Sequence, residues 1–104
     1  MEIQSFAYWY LESEMSIKDL EQVGALQALI ILLKEGPLPL TALASRIDCS
    51  LMTLYNAIEK LLKAGLIVEE REEAFPRRRI FRLTEKGQKI AKKLLEVEED
   101  MKSQ

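Results

Sequence analysis

Residues Leu43–Val68, LASRIDCSLMTLYNAIEKLLKAGLIV, decide the reading of this chain. A short apolar stretch ends at Asp48, Ser50 follows, and a second amphipathic stretch ends at Gly65. Leu66, Ile67 and Val68 then change the period from helical to strand-like. Two short helices, a tight turn and a strand form the helix-turn-helix pattern. The glycine usual in the turn is replaced by Asp48. Aspartate tolerates the left-handed conformation, so Asp48 is expected to take it. Ser50 is expected to cap the second helix, which should run to about Ala64. Leu54, Ile58, Leu61 and Leu62 form its buried stripe, and Leu51, Met52, Thr53, Asn56 and Lys60 the opposite face.

Toward the C-terminus, Leu66–Glu72 reads as a strand, Glu73–Arg78 as a charged turn containing Pro76, and Arg79–Leu83 as a second strand. Thr84 then caps a last helix. Its apolar residues Ile90, Leu94, Val97 and Met101 are spaced four, three and four apart, the pattern of a coiled-coil seam. A stripe so far beyond the compact domain has little of its own subunit to pack against, so a homodimer is expected.

Toward the N-terminus, Thr41 is the expected cap of the first motif helix, which runs to about Ile47. Leu38-Pro39-Leu40 suits only a short edge strand, because Pro39 lacks a backbone donor. Val23–Leu33 (VGALQALIILL) is apolar on nearly every face and predicts a central helix buried on all sides, stopped by Gly36-Pro37. Ser16 with Asp19 reads as a further helix start. Residues 3–11 carry Ile3, Phe6, Ala7, Tyr10 and Leu11 at helical spacing, although the cluster Phe6, Tyr8, Trp9, Tyr10 also suits a strand. Phe6, Trp9 and Tyr10 are the expected second dimer contact, and for the cluster Tyr8-Trp9-Tyr10 core or interface packing is a better use than an effector pocket. The chain thus divides into an aromatic N-terminal helix (1–19), a core (20–83) and a C-terminal seam helix (84–104).

At 104 residues the chain is a single small domain with a modest core, for which help from a partner subunit is natural. It has no apolar run long enough to span a bilayer, and Glu2 stands where a secretory signal would be basic, so a cytoplasmic protein is expected. With one cysteine and no histidine, no disulfide framework is possible and most zinc and acid–base chemistry is lost. Nothing assembles a nucleophile–base pair, a metal site or a glycine-rich phosphate loop, so neither an enzyme nor a cofactor is expected.

The overall charge of −2 conceals a segregation. Residues 41–93 hold twelve Lys or Arg against seven Asp or Glu, a net +5, while the remainder holds three against ten, a net −7. A phosphate-binding face needs a local positive field rather than a basic protein.

The segment from Leu40 to about Lys93 resembles the winged helix-turn-helix regulators of the MarR and PadR type. The resemblance rests on Leu43-Ala44, Ser50, Thr53, the Leu61…Gly65-Leu66-Ile67 exit, Arg77-Arg78-Arg79 and Phe81-Arg82-Leu83-Thr84-Glu85-Lys86-Gly87. It covers about half the chain. It implies an α+β, mainly α fold: a winged helix-turn-helix with N- and C-terminal dimerisation helices. It also implies a small homodimeric transcriptional regulator binding double-stranded DNA, with no membrane partner and an effector that the sequence leaves unknown. The helix from Ser50 would lie in the major groove. Ser50, Leu51, Met52, Thr53, Asn56 and Lys60 form the DNA-facing set: Thr53 and Asn56 can hydrogen-bond, Ser50 can cap the helix while its neighbourhood meets a phosphate, and Leu51 and Met52 are poor base readers. Arg77, Arg78 and Arg79 on the hairpin tip suit phosphate or a narrow minor groove. The competing reading of the tip is a solvated turn neutralised by Glu69, Glu70, Glu72 and Glu73. Cys49 admits a redox role, as in some members of such families, but its turn position favours a small buried hydrophobe. The alternative function is a winged-helix protein-interaction module, or a nonspecific DNA-binding protein.

Overall fold

The computed structural model describes residues 16–103; the helix expected over 3–11, with Phe6, Trp9 and Tyr10, lies outside the described residues. A 3-10 turn, Ile17–Glu21, comes first, its N-cap Ser16 accepting the amide of Lys18. Then follow α1 (Ala25–Glu35), β1 (Leu38–Pro39), α2 (Leu40–Arg46), α3 (Leu51–Lys63), β2 (Ile67–Arg71), β3 (Arg79–Leu83) and α4 (Glu85–Lys102). The three strands form one antiparallel sheet in the order β1-β3-β2. Pro39 sits on the edge strand, as its missing N–H requires. This is a winged helix-turn-helix: α2 and α3 make the motif, and the β2–β3 hairpin makes the wing.

The core lies where α1, α2, α3, the sheet and the start of α4 converge. Leu29, Leu43, Leu54, Ile58, Leu61, Ile67 and Phe81 are its largest fully buried side chains. On α3 the buried positions Leu54, Ala57, Ile58 and Leu61 recur at helical spacing and hold its inner face against the domain. Gly65 follows the helix at φ 75°, the left-handed turn that lets the chain double back into β2.

Thr84 joins wing to last helix. Its hydroxyl accepts the amide of Gly87 at 3.0 Å and donates to the carbonyl of Gly65 at 2.7 Å, while its own amide donates to Leu66 O at 3.0 Å. The first turn of α4 is thereby pressed onto the end of α3. A Cβ at Gly87 would lie 1.9 Å from the Leu66 carbonyl oxygen, so only glycine fits.

Three expectations are revised, and the C-terminal stripe with them. The cap of α2 is Pro39, with the helix beginning at Leu40: the proline ring fixes φ (−74°), and with ψ 162° the residue takes the extended backbone that precedes a helix. Thr41 is left on an exposed part of the first turn. Asp48 is not left-handed: Arg77 is the one described non-glycine residue at positive φ. Instead, the amide of Cys49 donates to Ile47 O at 3.0 Å, a tight three-residue turn that needs no positive φ. The central helix starts only at Ala25, leaving Val23 exposed before it, and is not buried on all sides, since Leu26 is 40% exposed.

The C-terminal stripe divides along α4, which packs against α1. Ile90 and Leu94 pack against the domain's own core and Ala91 is fully buried, whereas Val97 is 53% and Met101 80% exposed. Lys34 and Glu98 bridge α1 and α4 at 3.6 Å. Cys49 is a free thiol, half-buried against the core.

Candidate nucleic-acid interface

With its inner face committed to the core, α3 must present the other face outward. Ser50 fixes how that face begins. Its hydroxyl oxygen accepts the amide of Thr53 at 3.1 Å and its proton goes to Thr53 Oγ1 at 2.9 Å. The cap leaves Thr53 half-exposed with its own hydroxyl proton to donate. Leu51, Met52, Asn56 and Lys60 are exposed, as expected, and so is Tyr55, which the sequence reading did not single out. Met52 and Asn56 stand four residues apart and so lie one above the other on the outward ridge. Lys60 and Lys63 add positive charge toward the C-terminal end of α3.

The wing is built by register. Pairing Ile67 with Leu83, Glu69 with Phe81 and Arg71 with Arg79 puts Ile67, Leu83 and Phe81 on the core side of the hairpin. On the same side, beyond the core, Glu69 and Arg79 meet diagonally: Arg79 Nε and Nη2 donate to the two Glu69 oxygens at 2.8 and 2.9 Å. The Arg79 guanidinium also lies 5.3 Å from the centre of the Phe81 ring. Closer to the tip, Arg78 Nε and Nη2 donate to Glu72 at 3.0 and 2.9 Å, and the Arg78 amide donates to the same carboxylate. On the opposite side, Arg82 pairs with Glu70. Hydrogen bonds from Arg79 hold the Glu69 carboxyl below the usual range, and those from Arg78 do the same for Glu72.

The arginine triplet is therefore not uniform. Arg78 and Arg79 are each held in a two-point pair on their own hairpin, while Arg77 has no carboxylate partner among the described residues. Arg77 takes φ 60°, its amide closes the tip onto Ala74 O at 2.8 Å, and its carbonyl accepts Arg71 Nη1 at 3.0 Å. Arg71, which the sequence reading passed over, thus joins Arg77 as a second tip cation with no carboxylate in salt-bridge contact among the described residues, although its charge also acts on Glu69. Phe75 is 90% exposed beside them. Their strand and turn positions were legible, but their partners depended on the register.

A capped helix with an outward polar and apolar face, and a basic hairpin close by, is suited to a helical polyanion. The surrounding fold has known counterparts. Residues 40–93, just over half of the chain, match the family described as the transcriptional regulator PadR-like family. No curated protein matches the sequence. Among solved structures, a MarR transcriptional regulator from Methanosarcina mazei Go1 is 25% identical over 92% of this chain and 71% of its own, with a TM-score of 0.66. A transcriptional regulator homologue from Pyrococcus horikoshii OT3 is 23% identical over 88% of this chain and 91% of its own (TM-score 0.69). ZitR from Lactococcus lactis is 21% identical over 99% of this chain and 77% of its own (TM-score 0.73). The last two carry likeness of fold alone.

Proposed function

We propose that this chain, which belongs to the transcriptional regulator PadR-like family, works as a homodimer that binds double-stranded DNA sequence-specifically in the cytoplasm. Membership and fold make it a winged-helix DNA-binding regulator; the specificity and the dimer are the reading added to that. The carrying observation is the outward face of α3, capped by Ser50, with Thr53 and Asn56 presented near its N-terminal end. In helix-turn-helix proteins this end of the second helix meets base edges in the major groove. Arg77 and Arg71 on the wing, with Lys60 and Lys63 on α3, supply the phosphate contacts that hold the register. Arg78 and Arg79 enter the contact only by leaving, or sharing, their glutamates.

The dimer reading is supported by the exposed Val97 and Met101 of α4 and by Val23 and Leu26 at the other end of α1, apolar side chains that a second copy would cover. Two α3 helices would then read the half-sites of a pseudo-palindrome. The competing reading, a protein-interaction module, is favoured by the exposed Leu51 and Met52. Selection of bound sequences from a random duplex pool, followed by gel shifts across a salt series, tests the proposal. Enrichment of a two-fold-related motif is expected, whereas retention of all duplexes alike would make the chain a nonspecific binder, and retention of none would favour the interaction module.

A further inference from the structure

We propose that the N-terminal end of α3 recognises thymine through its C5-methyl group, so that each half-site is built on A·T pairs; this rests on the DNA-binding reading above. Met52 is 70% and Leu51 52% exposed, both in the first turn of α3, the turn that Ser50 pins through Thr53. Their positions are set by the backbone, so this apolar surface is held ready rather than left to collapse onto the domain. Neither side chain offers a hydrogen bond. In the major groove, the apolar feature of a base edge is the thymine methyl group. Asn56, one turn along the same ridge as Met52, carries the amide that bonds adenine at N6 and N7. The two side chains together match the two edges of A·T pairs at adjacent steps.

Charge points the same way. From Leu51 to Glu59 the helix carries no Lys or Arg, so this end lacks the side chains that read guanine. Glu59, the one acidic residue of that stretch, is exposed, and its charge acts with that of Tyr55 on Arg79 of the wing. Lys60 and Lys63 stand in the last turn of the same helix and Arg71 and Arg77 on the wing, and this positive setting favours a polyanion over an apolar protein partner.

The test starts from a duplex selected out of a random pool, in which each thymine is replaced in turn by deoxyuridine, removing only the methyl group. The intact protein should lose about fourfold in affinity at each contacted position, the value of one buried methyl group. Met52→Ala, or Leu51→Ala if the contact is made by its neighbour, should bind the two duplexes alike, while Met52→Leu should keep the difference. Met52 is exposed, so these variants do not disturb the core. If the intact protein binds selected thymine and deoxyuridine duplexes equally, or if both alanine variants keep the full difference, the methyl reading is overturned while DNA binding stands. If no duplex is retained even at low salt, the DNA-binding reading itself fails and takes this one with it.

Discussion

Replacing Glu72 by Gln should strengthen DNA binding, although it removes a salt bridge from the wing. Glu72 holds Arg78 at two points, 3.0 and 2.9 Å, and both side chains are open to solvent. An exposed pair of this kind contributes little net stability, so a phosphate can compete for Arg78. It must then do so beside a carboxylate that repels it. The neutral side-chain amide of the Glu72→Gln variant, by contrast, can still accept the backbone N–H of Arg78 and keep the tip closed. One more cation without a paired anion should steepen the fall of log K with log salt by about 0.9. Between 50 and 200 mM salt the advantage of the variant should therefore shrink about 3.5-fold. Arg77→Ala should do the opposite and flatten the slope by about 0.9, whereas Arg78→Ala should change it much less, because Arg78 is already neutralised. Gel shifts or fluorescence anisotropy across the salt series measure all three. Equal slopes for the parent protein and for replacement of Arg77, Arg78 and Arg79 together by Ala would remove the wing from the interface. A Glu72→Gln variant that binds more weakly with an unchanged slope would mean that the glutamate only orders the hairpin.

Other outcomes follow from separate parts of the fold. Asn56→Ala should lower affinity for a selected site by about 1–3 kcal/mol while leaving random-sequence binding nearly intact; an equal loss on both, in competition gel shifts, would reduce α3 to a positioning element. Placing Glu at Val97 and Met101, both exposed, should give folded monomers by sedimentation, and an intact protein already monomeric at micromolar concentration would refute the seam. Leu94→Glu is a poorer probe, since Leu94 packs on its own core and its replacement unfolds the monomer as well. Gly87→Ala should destabilise the protein by about 3 kcal/mol in denaturant unfolding, because its Cβ would meet the Leu66 carbonyl at 1.9 Å. An otherwise unconstrained helical glycine would gain up to about 1 kcal/mol from the same change, so the sign alone decides whether that contact exists.

Local signals in the sequence determined where elements begin and end. Gly36-Pro37, Ser50, Gly65 and Thr84 act within one turn of the chain through caps and backbone freedom, and each stands at the boundary it marked. Arg79–Leu83 forms the strand its pattern predicts, and Pro39 lies on the edge strand its missing donor demands. The helical period likewise separated the buried face of α3 from the face turned outward. Where the signal was local but degenerate, it misled: Thr41 is a good cap in isolation, yet the fixed φ of Pro39 starts the helix two residues earlier.

What acts across the chain was decided only by the tertiary structure. Glu69 and Arg79 are ten residues apart, and Glu72 and Arg78 six, so whether the arginines meet phosphate or glutamate depends on strand register, which no run of residues encodes by itself. The heptad-like spacing of Ile90, Leu94, Val97 and Met101 is uniform in sequence, but α1 lies beside only part of α4 and so divides the stripe between the domain's own core and an open face. Gly87 reads as a weak helical residue until the carbonyl of Leu66 is brought against it. Periodicity reports which side of an element is apolar; what that side touches is set by the packing of elements distant in the chain, because a contact costs chain entropy that only the whole core offsets.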